Sequence, residues 1–410
     1  MNKKKIFNDP VYGFITIPDD LIFDIIDHPW FQRLRRIKQL GLTDLVYPGA
    51  LHTRFHHAIG AMHLMGLALA NLRSKGHEIS DKEMQAAQIA VLLHDVGHGP
   101  FSHALEFTLL TDSTHEQVSS FIIRELNKKL KGKLELAIKI FEDTYERKFF
   151  HQLVSSQLDT DRLDYLQRDC FFTGVSEGTI GADRIIKMLE IVDDNLVVEE
   201  KGIYSIENFL TARRLMYWQV YLHKTTVSAE KMMVKVVERA KYLAKNGEKL
   251  FGSEPLLLFL KNDIKATDFN KKGEYFNAYM ALDDYDLWTG VKAWVNHPDK
   301  LLSFLSNSLL ERKLFRIELS DAKPDQKLIK QLSDKICNKF GINDENIDYL
   351  LLKGALTNAA YIAKGEKINI LTKKGKVIDI SKASDLPSIK VISKIVKKHY
   401  LCWPKNVYLY

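Results

Sequence analysis

Residues 94 to 103 read "HDVGHGPFSH", three histidines and an aspartate placed where the apolar run "QAAQIAVLL" gives out. Nine of the 14 histidines fall between His52 and His115. Isolated surface or core-edge roles, the ordinary reading of His52, His63 and His77, do not account for that density. An imidazole and a carboxylate buried at a helix end cost several kcal/mol unless a partner neutralises them. A divalent cation is such a partner, and nitrogen with oxygen ligands suits Mn, Fe, Co, Ni or Zn better than Ca or Mg. His94 and Asp95 supply two ligands. His57 can supply a third, because its helix can pack antiparallel to the one ending at His94. A further carboxylate is available in "SSQLDTDRLDYLQRDC", where Asp161, Tyr165 and Asp169 recur at i, i+4 and i+8 on one helical face. Asp159 reads as a cap and Asp164 as a surface charge. An ion so held polarises phosphoryl oxygens and draws the pKa of a coordinated water toward about 7. Nearby histidines, with ordinary pKa values of about 6.5, can pass protons.

A second constellation lies in "TARRLMYWQVYLHKTT". Arg213, Tyr217, Tyr221 and Lys224 fall at i, i+4, i+8 and i+11, one helical stripe that alternates cations with aromatic rings. Arginine's planar fork can grip phosphate and tyrosine can stack on a base. The same stripe could also be an amphipathic interface.

These groups need helices to carry them. Apolar residues recur at helical spacing in "PDDLIFDIIDHPWFQRLRRIKQLG", with Gly41 as the stop, and in "RFHHAIGAMHLMGLALANLRSKG". "DKEMQAAQIAVLLHDVGHG" is apolar nearly all round at its end and should be central. "STHEQVSSFIIRELN" opens with Ser113 and Glu116 in a capping-box pattern. "ENFLTARRLMYWQVYLHKTTVSAEKMMVKVVERAKYLAKNG" is a long helix or a pair, and Pro298 splits two more. Near residue 314 the texture changes. "LFRIEL", "IDYLLL", "KINIL" and "GKVIDI" read as strands, with a helix over "PDQKLIKQLSDKICNKFG". The expected division is a helical body over 1–311 and a small α+β subdomain over 312–410.

Composition narrows the function. The 410 residues are 46% hydrophobic and carry a net charge of +7, a mild excess that suits anionic ligands. The C-terminal lysines read as a solvated face, which leaves nucleic acid a minor alternative partner. Cys170, Cys337 and Cys402 show no CxxC spacing and fit a reducing compartment. "MNKKKIFNDP" precedes no apolar region, and no window is apolar enough to span a membrane. A cytoplasmic protein without membrane contact is expected. The chain has no P-loop, no H-E-x-x-H and no G-x-S-x-G.

The ordered set His57, His94-Asp95 and Asp161 resembles the H…HD…D motif of the HD-domain metal-dependent phosphohydrolases. "DPVYGFITIP", "FQRLRRIKQLG", "YPGALHTRFHHAIG", "LLHDVGHGPFSH", "THEQ" and "LDTDRLDYLQRDC" are similar to the deoxynucleoside triphosphate triphosphohydrolase branch, from about Asp9 to Lys224. The resemblance implies a mainly α protein, an HD-domain helical bundle with the small C-terminal α+β subdomain attached. It implies that His57, His94, Asp95 and Asp161 bind one divalent ion (Mn, Fe, Ni, Co or Zn), with Mg available to the triphosphate.

The same resemblance implies roles around the substrate. His98 and His103 would sit beside the triphosphate, His103 as the acid for the leaving 5′-oxygen. His115 and Glu116 would position or activate the attacking water, and Arg54 would grip a phosphate. Gln39 and Leu40 would face the sugar, and Tyr165 and Asp169 its 3′-hydroxyl side. Leu40 and Tyr165 together would exclude a 2′-hydroxyl. Arg213 and Tyr221 would face the substrate, with Tyr217 on their stripe. Attack at the α-phosphorus would give deoxynucleoside and inorganic triphosphate. The family also implies homo-oligomers (dimer, tetramer or hexamer) with a nucleotide effector between subunits, Arg35 matching an effector contact. His56 stands where a relative carries an acidic residue, and no role follows for it. Two alternatives stay open: an HD phosphohydrolase acting on a monophosphate, a cyclic nucleotide or (p)ppGpp, and a nucleotide- or nucleic-acid-binding regulator with an inactive metal site.

Overall fold

The most enclosed helix is the one the sequence marks as apolar all round. It runs over Asp81–Leu93, begins with a Ser80–Glu83 capping box, and buries Ala86, Ala87 and every residue from Gln88 to Leu93. A computed structural model describes the chain over residues 5–101, 104–358, 367–386 and 396–407. Six helices carry or frame the histidine-rich region: α1 (Arg54–Ser74), α2 (Asp81–Leu93), α3 (His115–Lys129), α4 (Thr160–Thr173), α5 (Ile203–Met216) and α6 (Lys224–Lys245). α1 lies between α2 and α4 and packs on both.

The fold is mainly α, as the periodicity predicts, and the departures are local. The first predicted helix breaks into Asp20–Asp27 and Pro29–Gln32, because His28 is extended and Pro29 can only begin a helix. The cap of α3 falls one residue later than the sequence suggests. Thr114, not Ser113, is the N-cap, and Gln117, not Glu116, closes the box. The Ser113 hydroxyl instead bonds Thr111 O and Ala266 N. His56 is the third residue of α1, where its Nδ1 accepts from Thr53 N at 3.2 Å and completes another capping box. Pro298 does separate two helices, Asp284–Trp294 and Lys300–Leu310.

Among the described residues three small sheets accompany the helices. β1 (Ile6–Asp9) and β2 (Gly13–Thr16) form an antiparallel hairpin. β3 (Leu189–Val192) and β4 (Asn195–Glu199) form another. The strands that follow are β5 (Arg316–Ser320), β6 (Leu352–Asn358), β7 (Asn369–Leu371), β8 (Val377–Asp379) and β9 (Val396–Trp403). β9 lies between β5 and β6, antiparallel to both. β7 and β8 join the β3–β4 hairpin in the order β3-β4-β7-β8, through a parallel β4–β7 pair. "IDYLLL" opens as a 3-10 turn over Asp344–Tyr349, and its strand starts only at Leu352.

Candidate metal centre and substrate pocket

Three helix ends deliver the predicted ligands. The first turn of α1 carries Arg54 and His57, and the first turn of α4 carries Asp161. His94 is the C-cap of α2. Beyond it the bonds Val96 N to Leu93 O and His98 N to Asp95 O, both 3.1 Å, wind a tight turn that holds His94, Asp95 and His98 together. Gly97 in that turn has a steric reason. A Cβ there would stand 2.4 Å from both His115 O and Ser119 N, so a side chain would push α3 off the centre. The Ser119 hydroxyl ties the two segments, accepting from Gly97 N and donating to His94 O.

The four expected ligands converge. Asp161 Oδ1 is 3.1 Å from His57 Nε2 and 3.5 Å from His94 Nε2. Asp95 Oδ1 is 3.3 Å from His94 Nε2, and its Oδ2 is 3.8 Å from His57 Nε2. Ligands held at about 2.1 Å around one cation stand about 3 to 3.5 Å apart, which is this spacing. Both outer ring nitrogens are occupied: His57 Nδ1 donates to Asp164 at 2.7 Å, and His94 Nδ1 to Val91 O at 2.6 Å. Those bonds select the tautomer that leaves Nε2 as a lone pair. Both Nε2 atoms are buried without a hydrogen-bond partner among the described residues. Two orphaned imidazole nitrogens facing two carboxylates form a donor set that a divalent cation fits.

Charge in the cluster is finely opposed. Burial works against a proton on His57, but the facing carboxylates of Asp161 and Asp164 outweigh it and raise its pKa to about 10. A proton and a divalent ion therefore compete for the same Nε2. Burial would also neutralise Asp95, yet His94, Arg54 and His98 hold its carboxyl well below the usual range. Arg54 reaches Asp95 directly with Nη1. Asp161 is likewise held low against the effect of burial, by His57 and His94.

A second imidazole pair adjoins the first. His98 Nε2 lies 3.4 Å from Asp95 Oδ1, and its ring stacks on His115 with centroids 3.8 Å apart and planes 19° apart. Burial and the neighbouring Arg54 charge drive the His98 pKa well down, so this ring is neutral. His115 Nδ1 bonds Glu106 at 2.6 Å, and its Nε2 is 3.3 Å from Glu116, which is 64% exposed. The displaced cap explains this: at the second position of α3, Glu116 is spared capping and can approach His115. His103 lies outside the described residues.

The tyrosine stripe is not one α-helix. α5 ends at Met216 and a π turn follows over Tyr217–Tyr221, closed by Leu222 N to Tyr217 O at 2.7 Å. Lys224 therefore leaves the stripe and starts α6, exposed. The turn brings Tyr221 edge-on to Tyr165 (6.0 Å) and to Tyr217 (5.2 Å). Asp169 is 1% exposed and both its oxygens are engaged, Oδ1 by His52 and Oδ2 by the Tyr221 hydroxyl, each at 2.7 Å. It thus holds Tyr221 rather than lying open. His52, expected at the surface or core edge, is buried at 1% exposure to hold Asp169. Arg213 donates to Gln157 at 3.1 Å, and its Nε is buried without a partner among the described residues. Gln39 and Leu40 are half-buried. Gln39 N donates to His52 O, and Gln39 Oε1 is a further buried atom without a partner among those residues.

Four residues escaped the sequence reading. Asp164, expected to be a surface charge, is fully buried against His57. An i, i+3 pair straddles one imidazole here, with Asp161 at Nε2 and Asp164 at Nδ1. Arg162 sits between the metal cluster and the tyrosines, paired with the N-cap Asp159, and its Nε is an orphan like that of Arg213. No local pattern marks Glu106 or His52 as functional, because their partners, His115 and Asp169, lie on other elements. Among the described residues no helix is long and apolar enough to cross a membrane.

Comparison with known proteins places this geometry in a family. Residues 54–169 match the model of the HD domain and residues 180–250 that of the HD associated region. YwfO of Bacillus subtilis, an uncharacterized protein, is 32% identical over 99% of this chain and 94% of its own. The deoxynucleoside triphosphate triphosphohydrolase SAMHD1 homolog of Dictyostelium discoideum is 33% identical, over 66% of this chain and 56% of its own. The crystal structure of a phosphohydrolase from Bacteroides thetaiotaomicron superposes with a TM-score of 0.94 at 51% identity, covering 98% of this chain and 100% of that one. Matched nearly end to end by the Bacillus protein and by the HD domain over the stretch that holds His57, His94, Asp95 and Asp161, the chain belongs to the HD-domain phosphohydrolases and is homologous to the SAMHD1-type dNTP triphosphohydrolases.

Proposed function

We propose that the protein hydrolyses deoxynucleoside triphosphates to deoxynucleoside and inorganic triphosphate. The observation that carries this reading is the pair of orphaned Nε2 atoms on His57 and His94, facing Asp95 and Asp161, beside a wall of guanidinium groups and tyrosines. Held by those four residues, a divalent ion supplies Lewis-acid polarisation of a phosphoryl oxygen.

The remaining work falls to this chain's own side chains. Arg54, anchored on Asp95, and Arg162 and Arg213, each with an Nε unpartnered among the described residues, take the negative charge of the phosphates. Neutral His98 donates a hydrogen bond to a phosphate oxygen. His115, with Glu106 behind Nδ1 and Glu116 before Nε2, holds and moves the proton of the attacking water. His103 is assigned the proton for the leaving 5′-oxygen. Tyr165 and Tyr221, the latter pinned by Asp169, wall the sugar together with Leu40 and Gln39, and Tyr217 extends that wall. The crowding excludes a 2′-hydroxyl. In the test, metal-loaded protein is incubated with each dNTP, singly and in pairs, and with GTP. Inorganic triphosphate from dNTPs alone supports the reading; monophosphate products, or equal cleavage of GTP and dGTP, overturn it.

A further inference from the structure

Behind the Nε2 edge of His57 runs a line of buried charges. Asp164 accepts from His57 Nδ1 at 2.7 Å and is gripped in two places by Arg168, Nε to Oδ2 at 3.0 Å and Nη2 to Oδ1 at 2.9 Å. The other end of the guanidinium, Nη1, donates to Asp9 Oδ2 at 2.7 Å. Asp9 Oδ1 accepts from the backbone of Val11 and Tyr12, at 2.9 and 3.0 Å, and so shapes the β1–β2 turn. Asp164 and Arg168 are 0% exposed and Asp9 8%. The Tyr12 ring lies 5.5 Å from the guanidinium, and its hydroxyl donates to Gln167 at 3.1 Å. α1 makes room for the grip through Gly60, where a Cβ would stand 2.0 Å from Asp164 Oδ1 and 2.2 Å from Arg168 Nη2.

A planar guanidinium held at three nitrogens cannot swing, so the carboxylate it grips cannot swing either. The imidazole bonded to that carboxylate is then fixed in plane and tilt. We propose that Asp9 and Arg168 are positioning residues of the metal centre: through Asp164 they orient His57, which makes the β1–β2 hairpin part of the ion site although the four ligands lie elsewhere. This rests on the metal reading above. Partners one bond behind a metal-bound histidine typically change affinity about 10- to 100-fold. Asn at position 9 can accept from Arg168 or from the turn, but it lacks the charge, and its amide would face donors on one side.

The test uses the full chain stripped of metal and titrated with Mn2+, with circular dichroism and melting of the stripped forms alongside. Wild type should bind Mn2+, and D9N should bind it tenfold or more weakly while its secondary structure is retained. The visible spectrum of Co2+-loaded D9N should shift, a readout of ligand geometry that a stability loss alone would not move. R168K keeps the buried charge and gives up the fork; it carries the same expectation and stands in should D9N fail to fold. Affinities of D9N and R168K equal to wild type, with D164N weakened, overturn the inference and leave the ion site standing. A wild-type protein that takes up no Mn2+ overturns the metal reading itself.

Discussion

Two imidazole pairs stand side by side in this molecule and are built for different work. The His57 and His94 rings cross at 76°, with each Nδ1 tied back to an oxygen, so their Nε2 lone pairs converge. The His98 and His115 rings are stacked, with planes 19° apart. Their in-plane lone pairs run side by side and cannot meet on one ion, although Asp95, His98 and His115 are near enough by distance alone to hold one. On the proposed reading, ring orientation, set by what the far nitrogen bonds, separates a ligand from a proton carrier or phosphate donor. The pairs share Asp95, which faces His94 and His98 through the same oxygen.

Substitutions can break that contrast in order of severity. D95A strikes both pairs and removes the carboxylate that Arg54 reaches. Turnover should fall about a thousandfold or more, the several kcal/mol that a Lewis acid contributes to charge stabilisation. Steady-state assays alongside metal analysis would check it. H115A touches only the stacked pair and should lower kcal-scale proton-transfer assistance alone: kcat falls about a hundredfold while the bound metal is unchanged. Loss of the ion in H115A would erase the distinction between the pairs. D164N acts behind His57 and should weaken metal binding about 10- to 100-fold.

Acidity sharpens the contrast further. The ion must displace a proton from His57, whose pKa is raised to about 10. Metal affinity should therefore rise with pH up to about 10, as binding releases protons from the ligand imidazoles, His94 being raised as well. Titrations of Mn2+ affinity at several pH values, with proton release measured in two buffers, would show a flat profile if that proton were absent. The smallest effect is expected from Y221F, which removes the hydroxyl bonded to Asp169. The loss of one buried hydrogen bond of about 1 kcal/mol should raise KM roughly fivefold with little change in kcat.

The helices are legible because they follow from periodicity, and the His57, His94, Asp95 and Asp161 set is legible mainly as a resemblance to the H…HD…D motif. Asp81–Leu93 is apolar all round and is the most enclosed helix, and the side chains of His57, His94, Asp95 and Asp161 lie together in the structure. Asp164 was hidden by the same reasoning. Three residues after Asp161 it leaves the Asp161–Tyr165–Asp169 stripe, and nothing local shows that an imidazole fits between the two faces. The π turn at Tyr217–Tyr221 has no composition of its own, so the stripe read as regular helix and Lys224 was counted on it. The β4–β7 pair joins Val198 to Ile370 across most of the C-terminal half, a register no local pattern encodes. Asp9 is similar: a turn residue in sequence, and a partner of Arg168 only once the hairpin folds over α4.

The number of ions that the cluster holds tests the four-residue site most directly. Elemental analysis of the purified chain, after equilibration with Mn2+ and removal of the excess, should give one ion per wild-type chain and none in D161A. No ion in the wild type, or one still held by D161A, would contradict the four-residue site; two ions would mean that the stacked histidines bind metal after all.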